Sequence, residues 1–225
     1  YNGDMRVNQR GTVVNAGNQY AGPDRWRFGK NDGGMTISQD SDVPTGQGFY
    51  KSWKCDVTTA ASTSGVYYVF LQQKLEIQDC YRVKKGTANA EQLTLSFWIK
   101  STKTGTYIAE MWDEPNNRHC CKTYTVSASN TWEKKTLTFP ADTSGALGTG
   151  SGEGLTLMLW LYGGSSFQGG TLATTWASQS NANRAEGQVN ACDNAANNIY
   201  FTGIQLEVGS TATDFEHRPY ADELL

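Results

Sequence analysis

Asn198-Ile-Tyr-Phe-Thr-Gly-Ile-Gln-Leu-Glu-Val-Gly209 is the stretch whose reading decides the fold. Over residues 200–208, Thr202, Ile204, Leu206 and Val208 share one parity, while Phe201, Gly203, Gln205 and Glu207 share the other. A period of two marks a strand with one face on a core. Gly209 and Ser210 end it, and a polar arm follows, with Phe215 and Tyr220 as its candidate anchors. In β-sandwiches a last strand of this kind commonly lies near the N-terminal part of the chain.

The same period recurs upstream. In Leu93-Thr-Leu-Ser-Phe-Trp-Ile-Lys-Ser101 the residues Leu93, Leu95, Phe97 and Ile99 make a core face, and Trp98 falls on the opposite face with Thr94, Ser96 and Lys100. Residues 104–112 form the next strand, joined through a turn at 103–105. Residues 35–39, 49–57 and 134–139 read as strands, and 66–77 as a strand with a helical turn over 72–80. Pro140 stops the strand before it, because proline has no amide donor for a ladder. Trp26 and Phe28 share a parity and read as a buried aromatic face. Residues 5–9 read as a short polar strand. Residues 155–162 set Leu155, Leu157, Leu159 and Leu161 against Thr156, Met158, Trp160 and Tyr162, so both faces are apolar. The segments 113–121, 141–154 and 163–198 read as loops; the last is long enough to be functional or ordered by a partner.

Composition agrees with many short strands and turns. Charged residues are only 18%, while glycine contributes 24 of 225 residues, so amphipathic helices are not the building unit. The net charge of −3, with no basic block, argues against a nucleic-acid partner. No run of about 18 apolar residues exists to insert in a membrane, and Tyr1-Asn-Gly-Asp4 shows no signal peptide. Five cysteines, Cys55, Cys80, Cys120, Cys121 and Cys192, are an odd number at irregular spacing. They cannot all pair within one chain, and mostly free thiols are expected.

Several runs carry a family resemblance. Gly203-Ile-Gln-Leu-Glu-Val-Gly209, Ala212-Thr-Asp-Phe-Glu-His-Arg218 and Tyr220-Ala-Asp-Glu-Leu224 resemble the C-terminal signature of a jelly-roll domain of tailed-phage fibre and other virion proteins. Asn2-Gly-Asp-Met-Arg-Val-Asn-Gln-Arg-Gly11, Gly22-Pro-Asp-Arg-Trp-Arg27, Leu93–Ser101 and Thr131-Trp-Glu-Lys-Lys-Thr-Leu-Thr-Phe-Pro140 extend the likeness over nearly the whole chain. The resemblance implies an all-β, two-sheet antiparallel sandwich of jelly-roll type, similar to carbohydrate-binding modules. It implies one such domain over 1–225, with a C-terminal arm over about 209–225. It also implies a virion protein assembled in the host bacterial cytoplasm, other virion subunits as partners, and a homo-oligomer, commonly a trimer. Host-surface or glycan attachment is the implied role, without one shared reaction. In that family the run continues past the position of Leu225, so an end there reads as a processed or trimmed form.

The chemistry searched for is mostly missing. His119 beside Cys120 and Cys121 suggests a metal or a Cys–His pair, but paired ligand spacing is lacking and adjacent cysteines do not aim at one ion; no metal residue and no catalytic residue are expected. His217 reads as structural. Glu110, Asp113 and Glu114 are the best acids for glycoside hydrolysis, which needs two of them across a cleft. No nucleophile elbow or phosphate loop occurs. A structural calcium drawing on Asp4, Glu207 or Asp214 is the one cofactor considered. Aromatic supply stands out, with 7 Trp, 11 Tyr and 8 Phe. Sugars stack their C–H faces on such rings, and Trp98, Trp112, Trp160 and Tyr162 are the glycan candidates because each lies opposite a better core face. The competing readings are a purely structural capsid or tail interaction domain and, last, a glycan depolymerase.

Overall fold

The strands marked by alternation pair into two antiparallel sheets. The computed structural model describes residues 1–63 and 65–224; the reading of Leu225 as an end point lies outside them. In chain order the elements are β1 (Gln19–Tyr20), β2 (Arg27–Lys30), β3 (Gly34–Asp40), β4 (Ser52–Thr59), β5 (Tyr68–Glu76), α1 (Ile77–Cys80), β6 (Leu93–Ser101), β7 (Gly105–Asp113), β8 (Arg118–Val126), β9 (Glu133–Phe139), β10 (Glu153–Gly163), β11 (Ala177–Ser178), β12 (Asn198–Val208) and α2 (Tyr220–Leu224). One sheet has the order β1-β2-β5-β10-β7-β8-β11, the other β3-β4-β12-β6-β9. This is an all-β sandwich of jelly-roll type, as the sequence leads one to expect.

The core lies between the sheets. Leu93, Leu95, Phe97 and Ile99 of β6 meet Leu155, Leu157 and Leu159 of β10, together with Trp26, Phe28, Trp53, Tyr107 and Phe201. Phe28 packs against Trp53 with ring centroids 6.0 Å apart, and Phe97 against Tyr124 at 5.0 Å, edge to face. Each large buried side chain of this kind contributes roughly 1.5–3 kcal/mol on removal from water. All five cysteines are buried and free.

Two of the register shifts, one in β12 and one in β10, change which way the site's side chains point, and no period-two reading contains them. In β12 the register against β6 shifts between Thr202 and Gln205. Gly203 sits there at φ +60°, and a Cβ at this position would run into the Phe49 ring. An extra residue in a strand inverts the parity beyond it. Ile199 and Phe201 therefore enter the core before the bulge, and Ile204 after it, with Leu206 partly buried against the core on the same side. In β10 the register against β5 shifts between Trp160 and Tyr162. Tyr162 thereby leaves the face of Trp160 and joins the main core, 2% exposed.

Other expectations also needed correction. Residues 5–9 form no strand, although Met5 and Val7 are buried. Residues 118–121 are part of β8 and not of a loop, because Arg118–Val126 pairs along β7 in continuous register. The C-terminal arm is anchored by Phe215 and His217 on Phe49, with centroids 5.1 and 5.2 Å away. Tyr220, expected as a second anchor, is exposed. The last strand does approach the N-terminal segment, where Ile204 N donates to Gly3 O at 2.9 Å.

Candidate functional site

The four aromatic candidates fall in three separate places. Tyr162 is in the core. Trp112 and Trp160 lie on the outer face of the seven-stranded sheet, where Trp160 is fully buried. Trp98 is half-buried on the outer face of the five-stranded sheet. The structure thus leaves no ring face of Trp160 or Tyr162 open to a ligand, and it puts Trp98 and Trp112 on opposite sides of the sandwich.

Trp98 does have aromatic company. In the β6–β12 register it lies opposite Thr202, while Tyr200 lies opposite Lys100, so the two rings are diagonal neighbours on one face. Tyr200 in turn packs against Trp132, centroids 6.2 Å apart at 63°. Lys54 and Lys100 place their ammonium groups 5.4 and 5.2 Å from the Tyr200 ring centre. Lys134 pairs in register with Trp98 from β9. Trp132 Nε1 donates to Asp42 Oδ1 at 2.9 Å, and Lys100 bonds the same carboxylate. Burial works against the Asp42 charge, yet the hydrogen bonds from Lys100 and Trp132 hold its carboxyl below the ordinary range. Lys54 also lies 3.7 Å from Asp40. The result is three half-buried rings on one sheet face, interleaved with Lys54, Lys100 and Lys134 and with Asp40 and Asp42.

The outer face of the seven-stranded sheet is closed by the chain itself. Residues 163–198 fold back over it through backbone bonds such as Cys121 N to Ala173 O at 2.7 Å and Val189 N to Thr106 O at 2.8 Å. Phe167 and Ala185 complete a second apolar cluster with Phe70, Ile108, Met158 and Trp160. The segment is therefore ordered by its own sheet. Arg184 enters from it and lies over Trp112 and Trp160, 4.9 and 5.2 Å from the ring centres. Its Nε is 2.9 and 3.1 Å from the two Glu110 oxygens. Trp160 Nε1 donates to Glu110 Oε2 at 2.9 Å, and His119 Nδ1 stands 2.9 Å from Oε1. Burial alone would raise the Glu110 carboxyl; the Arg184 charge and the His119 hydrogen bond bring it below the ordinary range.

These contacts decide what the three acids can do. Glu110 is fully buried under Arg184. Asp113 is fully buried too, bonded to Lys85, and Lys85 also meets Asp142 at 2.9 Å. Glu114 is exposed, 3.7 Å from Lys74. Two of the three acids are thus buried in ion pairs and one is exposed, and the three do not face one another across a cleft. Among the described residues, one group of side chains has the donors and spacing to hold a metal ion: Glu110, His119 and Cys121, whose ligand atoms lie within 4.8 Å of one another. Asp4, Glu207 and Asp214 do not gather into such a group. Asp4 pairs with Arg6, and Glu207 accepts from Thr213.

Sequence reading missed Tyr200, Trp132 and Arg184. Tyr200 had a visible signal, since it opens the polar parity of β12 before the bulge. Trp132 stands in a turn and Arg184 in a loop, where no periodicity speaks for either.

No family model matches the sequence, and no curated protein matches it. Among solved structures, the chain is similar to the enzymatically active domain of tailspike protein 4 of bacteriophage CBA120, with TM-score 0.47 and 14% identity over 91% of this chain and 22% of that one. It is similar to a family 4 carbohydrate-binding module, with TM-score 0.45 and 11% identity over 92% of this chain and 98% of that one. It is also similar to the family 11 carbohydrate-binding module of Clostridium thermocellum in complex with a β-1,3-1,4-mixed-linked tetrasaccharide, with TM-score 0.41 and 12% identity over 89% and 96%. The chain spans about a fifth of the tailspike chain. At these identities and scores, the fold assigned to the chain rests on its own strand order and register.

Proposed function

We propose that the protein binds glycan on the outer face of its five-stranded sheet, without catalysing a reaction on it. The observation that carries this reading is the half-buried patch of Trp98, Tyr200 and Trp132. Sugar C–H faces stack on such rings, and the adjacent Asp42, Lys54 and Lys100 supply acceptors and donors for hydroxyl groups. Trp98 and Tyr200 sit on β6 and β12, and Trp132, just before β9, is tied by its Nε1 to Asp42, so the rings are held in place before a ligand arrives.

The setting we propose, on the resemblance of the C-terminal runs, is a fibre, appendage or decoration domain of a phage particle, serving attachment to the host surface. In a homotrimer, several weak sites would add through linkage. The test is a glycan array and titration with host polysaccharide, on the wild type and on Trp98→Ala and Tyr200→Ala. Each substitution is expected to weaken binding about tenfold or more, which is roughly 1.4 kcal/mol. Binding that persists unchanged in both variants defeats the patch as the site. A wild type that binds neither host cells nor their polysaccharide defeats attachment, and then the purely structural reading gains, because exposed Val14, Tyr50 and Val66 offer surface for subunits.

A further inference from the structure

We infer that Glu110, His119 and Cys121 form a structural metal centre for zinc or a similar borderline divalent ion. The three donors are a carboxylate oxygen, an imidazole nitrogen and a thiol sulfur, all in fully buried residues. Strand geometry brings them together. Glu110 and Cys121 are direct partners across the β7–β8 ladder, and His119 lies two residues from Cys121, so all three point to the same face. Cys120 points to the opposite side, into the main core. The adjacent-cysteine objection therefore does not apply, because one cysteine of the pair is enough here.

The spacing suits coordination. Glu110 Oε1 is 2.9 Å from His119 Nδ1, and Cys121 Sγ is 3.9 Å from that same nitrogen. An ion about 2.0–2.3 Å from each donor fits between them with small side-chain adjustments. The mixed N, O and S set selects zinc-like ions over calcium or magnesium, which take oxygen alone. Glu110 is also held from behind. Trp160 Nε1 occupies Oε2, and Arg184 Nε can retain that oxygen at 3.1 Å when Oε1 turns to the ion. Such supporting donors orient a ligand carboxylate. Arg184 O lies 3.6 Å from Cys121 Sγ, so the overlying segment brings a carbonyl to the fourth side. On binding, Cys121 would give its thiol proton to solvent, and the His119 proton that faces Glu110 from Nδ1 would move to Nε2, freeing Nδ1 as ligand. The ion would tie β7 to β8 beneath residues 163–198 and stabilise that covering segment.

The test uses the full chain without an affinity tag, produced with zinc and dialysed. Elemental analysis is expected to find one zinc per chain. Cobalt exchanged into the wild type is expected to give a thiolate-to-metal charge-transfer band in the near ultraviolet. Cys121→Ser should remove that band and lose the zinc on dialysis, whereas Cys120→Ser should keep both. The inference is overturned if the wild type, after unfolding and refolding with zinc, holds none above the buffer blank. It is equally overturned if cobalt binds without a thiolate band. That readout needs no variant, so a variant that fails to fold leaves the test intact.

Discussion

Replacing Lys85 by Met should cost about 3–4 kcal/mol at neutral pH, and the structure shows where that number comes from. The Lys85 ammonium is buried, 1% exposed at the side chain, and bonds Asp113, Asp142 and the carbonyls of Ser144 and Gly145. It also lies 5.1 Å from the Trp176 ring centre. Methionine keeps much of the stem but removes the charge. Breaking a buried pair by deleting one partner costs about 3–5 kcal/mol, because the other charge stays buried and uncompensated. The two carboxylates do not suffer equally. Asp142 keeps Arg118, with bonds of 2.8 Å to each oxygen. Among the described residues, the hydrogen-bond donors left to Asp113 are the neutral ones of Asn116, at 3.0–3.1 Å. The penalty therefore falls on Asp113 and lies in the lower part of that range. For a chain of this size it corresponds to a Tm lower by roughly 6–16 °C.

The double variant is the sharper part of that prediction. Adding Asp113→Asn to Lys85→Met removes the uncompensated carboxylate itself, so in urea unfolding at pH 7 the double variant should recover a large part of the loss. A gap between wild type and Lys85→Met below about 1 kcal/mol, or a double variant no better than the single, would refute the argument that an unpaired buried charge sets the cost.

Four further outcomes are expected. Trp112→Ala should leave glycan affinity unchanged while Trp98→Ala lowers it, because the two rings stand on opposite faces; a titration of both variants decides it. Gly203→Ala should destabilise by roughly 2–4 kcal/mol in denaturant unfolding, combining a positive φ with a Cβ against the Phe49 ring. Glu110 is held below its ordinary value of 4.5, so the stability it contributes is present above that pH and is lost as pH falls through its folded pKa. Glu110→Gln should flatten the acid limb of the stability profile, though it costs stability at neutral pH. Burial raises the thiol pKa of Cys80 to about 11 and of Cys120 to about 12, so neither should react with a disulfide reagent at pH 8 until the chain unfolds, as a stopped-flow thiol assay would show.

Much of the sandwich was legible because its inner faces obey one rule over long runs. Leu93, Leu95, Phe97 and Ile99 announce a strand and its inward side together, and Trp26 and Phe28 do the same on a shorter scale. The errors come from single residues that interrupt the rule. Tyr162 reads as a neighbour of Trp160 by parity, and one bulge sends it to the other side of the sheet. His119, Cys120 and Cys121 follow turn-forming Pro115-Asn-Asn117, so they read as loop, yet the hairpin is tight and the strand resumes at Arg118. Burial of acids was illegible for a different reason. Glu110 can be buried only because Arg184 arrives from 74 residues away, and Asp113 only because Lys85 does from 28 residues away. No local pattern encodes a partner at that distance.

The same reasoning separates the two outer faces by what covers them. A sheet face rich in Trp, Tyr and charged residues serves equally well as a ligand platform or as the floor of another layer. Local sequence is alike in the two cases: Trp98 stands between Ser96 and Lys100, and Trp112 between Glu110 and Glu114. What differs is the length of chain available to fold back. Residues 163–198 return over the seven-stranded sheet, bring an arginine to its carboxylate, and complete an apolar cluster there. Over the five-stranded sheet the covering chain is the 209–217 arm, which Phe215 and His217 hold at the Phe49 end. Tyr200 and Trp132 lie toward the other end of β12, near Lys54 and Lys100, where their rings remain half-buried. One face has thus spent its aromatics on its own chain, and the other leaves them half-buried, where the proposed glycan would meet them. Deleting the arm beyond Gly209 should therefore disturb the Phe49 region and leave glycan binding at Trp98 and Tyr200 intact. Loss of that binding in a folded, arm-deleted chain would show that the arm, and not the sheet, carries the site.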